Sequence, residues 1–138
     1  MGYGFDRIEN ILWRVYHDEL SGYDADRIVL MAGTNNIFIN TEDEIVEGIR
    51  FLLSAIHRQQ PKAKIKVIGI LPRRGEEDKV RRINESIRRM VSEEGYIYCD
   101  AGLSLLQKDG KINESLFTDG LHPNAKGYWP IAPQIAFF

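Results

Sequence analysis

The chain has a single cysteine, Cys99, which excludes an internal disulfide framework and a multi-cysteine zinc site. No apolar run approaches the roughly 20 residues needed to span a bilayer. The N-terminus lacks the basic and apolar regions of a secretory signal. Charge of one sign is not in excess either: 18 basic and 20 acidic residues leave a formal net charge of −2. That balance gives no electrostatic reason to expect nucleic acid or an anionic membrane as partner. The densest basic stretch, Lys79 to Arg89, alternates with Ile83, Ile87 and Met90 and reads as the wet face of a helix. Repeats, low-complexity tracts and linkers are missing as well. A cytoplasmic location is the default if Met1 is the true start, but a signal peptide ahead of it would change that, so location stays open.

What is present suits one domain over 1–138, with 43% hydrophobic residues available for a core. Residues 6–20 place Ile8, Ile11, Leu12, Val15 and Tyr16 on one helical stripe. Arg27 to Ala32 is a short apolar run of strand length. Thr41 and Glu44 are spaced as a capping box ahead of a helix whose inner face carries Ile45, Ile49, Leu52, Leu53 and Ile56. Pro61 ends that helix, and Lys64 to Leu71 reads as a second strand. Pro72 to Asp78 is a charged loop. A third helix follows, with Val80, Ile83, Ile87, Met90 and Val91 inward and Gly95 at its C-terminal cap. Tyr96 to Cys99 is a third strand, and a turn at Asp109-Gly110, a polar segment to Pro123 and an apolar tail close the chain. Strands alternating with amphipathic helices predict an α/β fold with a parallel sheet covered on both faces. In such sheets function sits at the C-terminal strand ends, where Gly33-Thr-Asn-Asn36 and Pro72-Arg-Arg-Gly75 fall.

Three segments could carry chemistry. In Asp119-Gly-Leu-His122 a carboxylate three residues before an imidazole can reach its Nδ1–H, fix the tautomer and stabilise the imidazolium. The plainer alternative is a surface turn with both groups solvated. Asn35, directly after a strand, could aim its NH₂ at an oxygen that gains charge during acyl transfer, or could simply form an Asx-turn. Gly2-Tyr-Gly4-Phe-Asp6 opens onto a helix whose free N–H groups favour an anion, or is a loose terminus. His17 and His57 fall on exposed helical positions and Cys99 reads as a core residue. Asp24, Asp26, Asp100, Asp119 and His122 lack metal-ligand spacing, so neither a metal nor a cofactor is expected.

Taken together, these segments resemble the SGNH, or GDSL-type, hydrolases, within them the branch of the platelet-activating-factor acetylhydrolase catalytic subunits. Gly33-Thr34-Asn35-Asn36 matches the family's Gly-x-Asn-(Asp/Asn) block. Asp119-Gly120-Leu121-His122 matches its Asp-x-x-His block, with Pro123 and Gly127-Tyr128 following. Gly2 to Asp6, Ile11-Leu12-Trp13-Arg14 and Gly69 to Arg73 extend the likeness over nearly the whole chain, in the family's order. The resemblance implies a three-layer, flavodoxin-like sheet and a carboxylic-ester hydrolase for small acyl groups, acetyl esters above all. It makes His122 the general base and acid, Asp119 its orienting partner, Asn35 an oxyanion-hole side chain, and a backbone N–H near Gly4 and Phe5 the second donor. The family usually has glycine where Phe5 falls. Pro130 and Pro133 interrupt what is usually a regular C-terminal helix.

One block has no counterpart. The family's nucleophile stands in Gly-Asp-Ser after the first strand, and none of this chain's serines stands at such a strand end. The expectation is therefore a sheet lacking the family's first two strands, an unpaired apolar edge over 27–32 that favours self-association, and a chain inactive on its own. The competing readings are a serine-less relative that binds acylated ligands or a protein partner, a hydrolase using Cys99 with His122, and a structural protein on an esterase scaffold.

Overall fold

The computed structural model describes residues 7–16, 22 and 24–136. The elements in chain order are α1 (Ile8–Tyr16), β1 (Arg27–Met31), α2 (Glu42–Gln59), β2 (Lys64–Ile68), α3 (Glu77–Glu93), β3 (Ile97–Cys99), and two short helices, α4 (Ala125–Tyr128) and α5 (Ala132–Ala136). The strands form a parallel sheet in the order β1-β2-β3, with Val29 opposite Lys66 and Ile68 opposite Cys99. The expected 17–20 end of the first helix lies outside the described residues.

Alternation along the strands separates the two faces. Leu30, Ile65 and Val67 share one core with Ile8 and Val15 of α1, Ile45 to Ile56 of α2 and Val80 to Val91 of α3. The α2 start is set by the predicted capping box: Thr41 accepts from the Glu44 N–H and Glu44 accepts from the Thr41 N–H. On the other face Ile68 joins Ala101, Leu105, Ile112, Phe117 and Ile131, with Cys99 and Ile135 alongside. This second layer is smaller. It covers Lys66, which is buried and donates to the Gln134 carbonyl, but leaves Val29, Met31 and Ile97 exposed. The outer edge of β1 pairs with no strand among the described residues. Within this edge strand the Leu30 side chain is buried in the core.

Several boundaries differ from the sequence reading: β1 ends at Met31 rather than Ala32, and β3 begins at Ile97 rather than Tyr96. The second strand ends at Ile68 rather than Leu71, because β1 and β3 stop at Met31 and Cys99 and supply no further ladder partners. Ile70 remains buried, and the buried Asn84 of α3 takes over its pairing: Asn84 Oδ1 accepts from the Ile70 N–H and Asn84 Nδ2 donates to its carbonyl, both at 2.8 Å. α3 begins at Glu77, inside the expected loop. Glu77 and Asp78 in its first turn complement the positive end of the helix dipole. The C-terminal tail is broken into α4 and α5 around Pro130, as expected there, whereas Pro133 sits in the first turn of α5, where its missing N–H costs no helical bond. Among the described residues no helix is long and apolar enough to cross a membrane.

Candidate active site

β1 ends at Met31, and Gly33, at φ 107°, turns the chain into a single helical turn over Thr34–Asn36. That conformation is open to glycine and strained for other residues. Asn35 thereby stands half-buried just past the C-terminal end of the strand. Its neighbour Asn36 is almost fully buried and does structural work. Its Oδ1 accepts the Ile8 N–H at 3.0 Å, and its Nδ2 donates to Glu9 and to Asn40. Asn36 thus ties the first turn of α1 to the loop that carries Asn35. The proposed donors at Gly4 and Phe5 lie outside the described residues.

The second half of the site is a tight loop between Phe117 and Pro123, which pair as an antiparallel bridge. Gly120, at φ 77°, permits the reversal. Asp119 organises the loop: its Oδ1 accepts the backbone N–H groups of His122 at 2.7 Å and Leu121 at 2.9 Å. Its Oδ2 meets His122 Nδ1 at 2.8 Å. The His122 backbone N–H, then the imidazole, then the Leu121 N–H hold the Asp119 carboxyl well below the usual carboxylate range. An ionised carboxylate can only accept, so Nδ1 donates to it, and in the neutral imidazole Nε2 carries the lone pair. The predicted pairing of Asp119 with His122 is therefore present. Both side chains are solvent-exposed, at 52% and 65%.

Among the described residues the His122 ring bonds to no serine or cysteine. Ser104 Oγ donates to the Ala101 carbonyl and Ser115 Oγ to Asn113. Cys99 Sγ faces Gln134 Oε1 at 3.8 Å, which counts against a Cys99–His122 pair. His57 is exposed, with its ring edge-on to Tyr96. No group of three His, Cys, Asp or Glu able to hold a metal occurs among the described residues.

Residues the sequence reading did not assign to the site connect its halves. In the β2–α3 connection, Arg73 donates to the Thr34 carbonyl at 3.3 Å and stacks its guanidinium 4.8 Å over the Phe38 ring. Arg74 donates its backbone N–H to the Gly120 carbonyl at 2.8 Å. Its guanidinium forms a two-pronged pair with Glu114, both bonds at 2.7 Å. The sequence reading put Pro72-Arg-Arg-Gly75 directly at a strand end, whereas β2 stops at Ile68, and nothing local revealed these partners. After His122, Asn124 caps α4 and donates to the Ser115 carbonyl, fastening the far side of the loop.

The GDSL-like lipase/acylhydrolase family model matches residues 1–129. The rat platelet-activating factor acetylhydrolase IB subunit alpha1 is 31% identical over an alignment covering 94% of this chain and 58% of that protein. The human alpha2 subunit is 31% identical, with 97% of this chain and 60% of that protein covered. The chain thus spans little more than half the length of these relatives. A GDSL-like lipase from Bacteroides thetaiotaomicron superposes with a TM-score of 0.82 at 19% identity, over 97% of this chain and 72% of that one. The parallel sheet, the order of the motifs along it and the family match over 1–129 agree, and the chain belongs to the GDSL-like lipase/acylhydrolase family.

Proposed function

We propose that this chain supplies the acid–base half of a carboxylic-ester hydrolase acting on small acyl groups, acetyl esters above all, and that the nucleophile comes from a serine none of its own positions provides. The observation that carries this is the Asp119–His122 contact of 2.8 Å, which in the neutral imidazole leaves the Nε2 lone pair free to take a proton. In the complete enzyme, His122 Nε2 takes the proton of a serine Oγ as that oxygen attacks the ester carbonyl. It returns the proton to the departing alkoxide, and repeats both steps with water to release the acid. Asp119 stabilises the imidazolium in each step. The Asn35 amide donates to the carbonyl oxygen as it becomes an oxyanion, together with a backbone N–H near Gly4 and Phe5.

Without a serine the chain forms no acyl-enzyme, and only residual rate enhancement from binding and the oxyanion donors is expected. The test has two parts. The isolated chain should not be labelled by a fluorophosphonate. The DNA 5′ to codon 1 should encode an in-frame Gly-Asp-Ser after an apolar strand, and the longer chain should hydrolyse p-nitrophenyl acetate with an acyl burst that His122→Ala abolishes. Stoichiometric labelling of the short chain would overturn the division of labour. A burst that survives His122→Ala would overturn the role of the dyad.

A second reading, a serine-less member that binds acylated ligands or a partner, draws support from the openness of the dyad. It takes the lead if a stop codon lies close upstream with no such segment. In either case the outer edge of β1, which pairs with no strand among the described residues, and the exposed Val29 and Met31 favour association with a second copy of the chain.

A further inference from the structure

Arg74 touches the Asp119–His122 loop at two places separated in sequence. Its backbone N–H holds the Gly120 carbonyl at the apex, and its side chain holds Glu114, five residues before Asp119. The guanidinium also lies against the backbone of Gly120: a Cβ there would stand 2.7 Å from Arg74 Cζ. The loop is fastened to itself by the Thr118–His122 bond and to α4 through Asn124. Those contacts hold the base of the loop and leave its apex at Gly120 to Arg74. Among the described residues, Arg74 and the Ile112 N–H bond to Glu77 join it and its approach to the segment that leaves β2.

Resting on the reading of Asp119 and His122 as an acid–base pair, we propose that Arg74 is the positioning residue of that pair. It sets the loop against the end of β2 and thereby aims the Asp119 carboxylate at Nδ1. Arginine suits this task where lysine does not. Its rigid fork fixes both oxygens of Glu114, and its flat face can lie on a glycine, whereas an ammonium is a single mobile charge. Glycine at 120 serves two needs, since its left-handed backbone makes the turn and its missing side chain admits the guanidinium. The Arg74–Glu114 pair is solvent-exposed, at 62% and 53%, so it adds little to global stability. Its loss should move the dyad without unfolding the chain.

The experiment is long-range ¹H–¹⁵N NMR of the His122 ring in the ¹⁵N-labelled chain, at a pH where the imidazole is neutral. The wild-type chain is expected to show the Nδ1–H tautomer almost alone, and Asp119→Asn to lose that preference. Arg74→Ala and Glu114→Ala should each shift His122 toward the tautomer mixture of a free imidazole. The double variant should shift it no further than either single change. Arg81→Ala removes the same charge from the exposed face of α3, where it pairs with Asp78 and not with the loop, and should leave the ratio unchanged. Arg74→Lys keeps the charge and the stem and stands in if the alanine variant does not fold; it too should shift the ratio. If a folded Arg74→Ala or Arg74→Lys chain keeps the wild-type ratio, Arg74 does not position the dyad. If the wild-type chain already shows the free-imidazole mixture, the dyad reading fails and Arg74 has nothing to position.

Discussion

Replacing Asn84 by alanine tests how the exit of β2 is held. Asn84 is 6% exposed, and its amide makes both hydrogen bonds of the Ile70 peptide groups, each 2.8 Å, at a residue itself 2% exposed. Truncation leaves a buried N–H and a buried C=O without partners, at about 1–3 kcal/mol each. Against this stands the better helix propensity of alanine within α3, about 0.5 kcal/mol. The net expectation is a loss of about 1.5–5.5 kcal/mol, or a fall in Tm of roughly 5–20 °C for a domain of this size. Urea unfolding should show the midpoint falling with the slope unchanged, which marks a change in stability rather than in the denatured chain. Hydrogen exchange should show the Ile70 amide losing protection more than the Val67 amide in the ladder. Asn84→Asp should destabilise at neutral pH as well, because the carboxylate still accepts from the Ile70 N–H but cannot donate to its carbonyl. The reasoning is refuted if Asn84→Ala lies within about 0.5 kcal/mol of wild type, the range of a neutral surface change, with Ile70 still protected.

Three further outcomes follow from contacts already described. Because Asp119 is held below its unfolded value, its contribution to stability is present above pH of about 4 and lost as pH falls toward the folded value. Carboxyl ¹³C titration should find it ionised where exposed aspartates are protonated, and Asp119→Asn should flatten the acid limb of the stability curve. Asn36→Ala should cost about 2–3 kcal/mol through the buried Ile8 N–H and the lost partners of Glu9 and Asn40, with hydrogen exchange quickest at the start of α1. Size-exclusion chromatography with light scattering should find the chain self-associated at high concentration, and Val29→Lys should shift it toward monomer. A soluble wild-type monomer at high concentration would refute the edge argument.

Those parts of the molecule that depend on neighbours in sequence were legible. The Thr41–Glu44 box, the inner faces of α2 and α3, and the Asp119–His122 contact each span three or four residues, a distance that residue spacing encodes directly. The strand order was legible only through the family's pattern. What escaped notice acts over long separations. Asn36 reaches Ile8 across 28 residues, Asn84 reaches Ile70 across 14, and Arg74 reaches Glu114 across 40. No periodicity marks such residues, since a buried asparagine in a helix looks like a polar position on its wet face. The overlong second strand has a related cause: Ile70 is as buried as its ladder neighbours, so hydrophobicity alone cannot tell where pairing stops. The oxyanion donors expected at Gly4 and Phe5 lie outside the described residues.

The exposure of the Asp119–His122 pair has a consequence for how strongly the two groups can attract one another. Two unit charges about 4 Å apart attract by about 1 kcal/mol in water, but by about 4 kcal/mol at the effective dielectric constant of 20 near a protein surface. With most of its ring in solvent, the pair stands close to the first limit. Any segment that closed over the C-terminal ends of the strands would strip away that water. The attraction between Asp119 and the imidazolium would then strengthen several-fold with neither residue moving. The coupling between the two groups is thus set by how much solvent surrounds them, and not by their geometry alone.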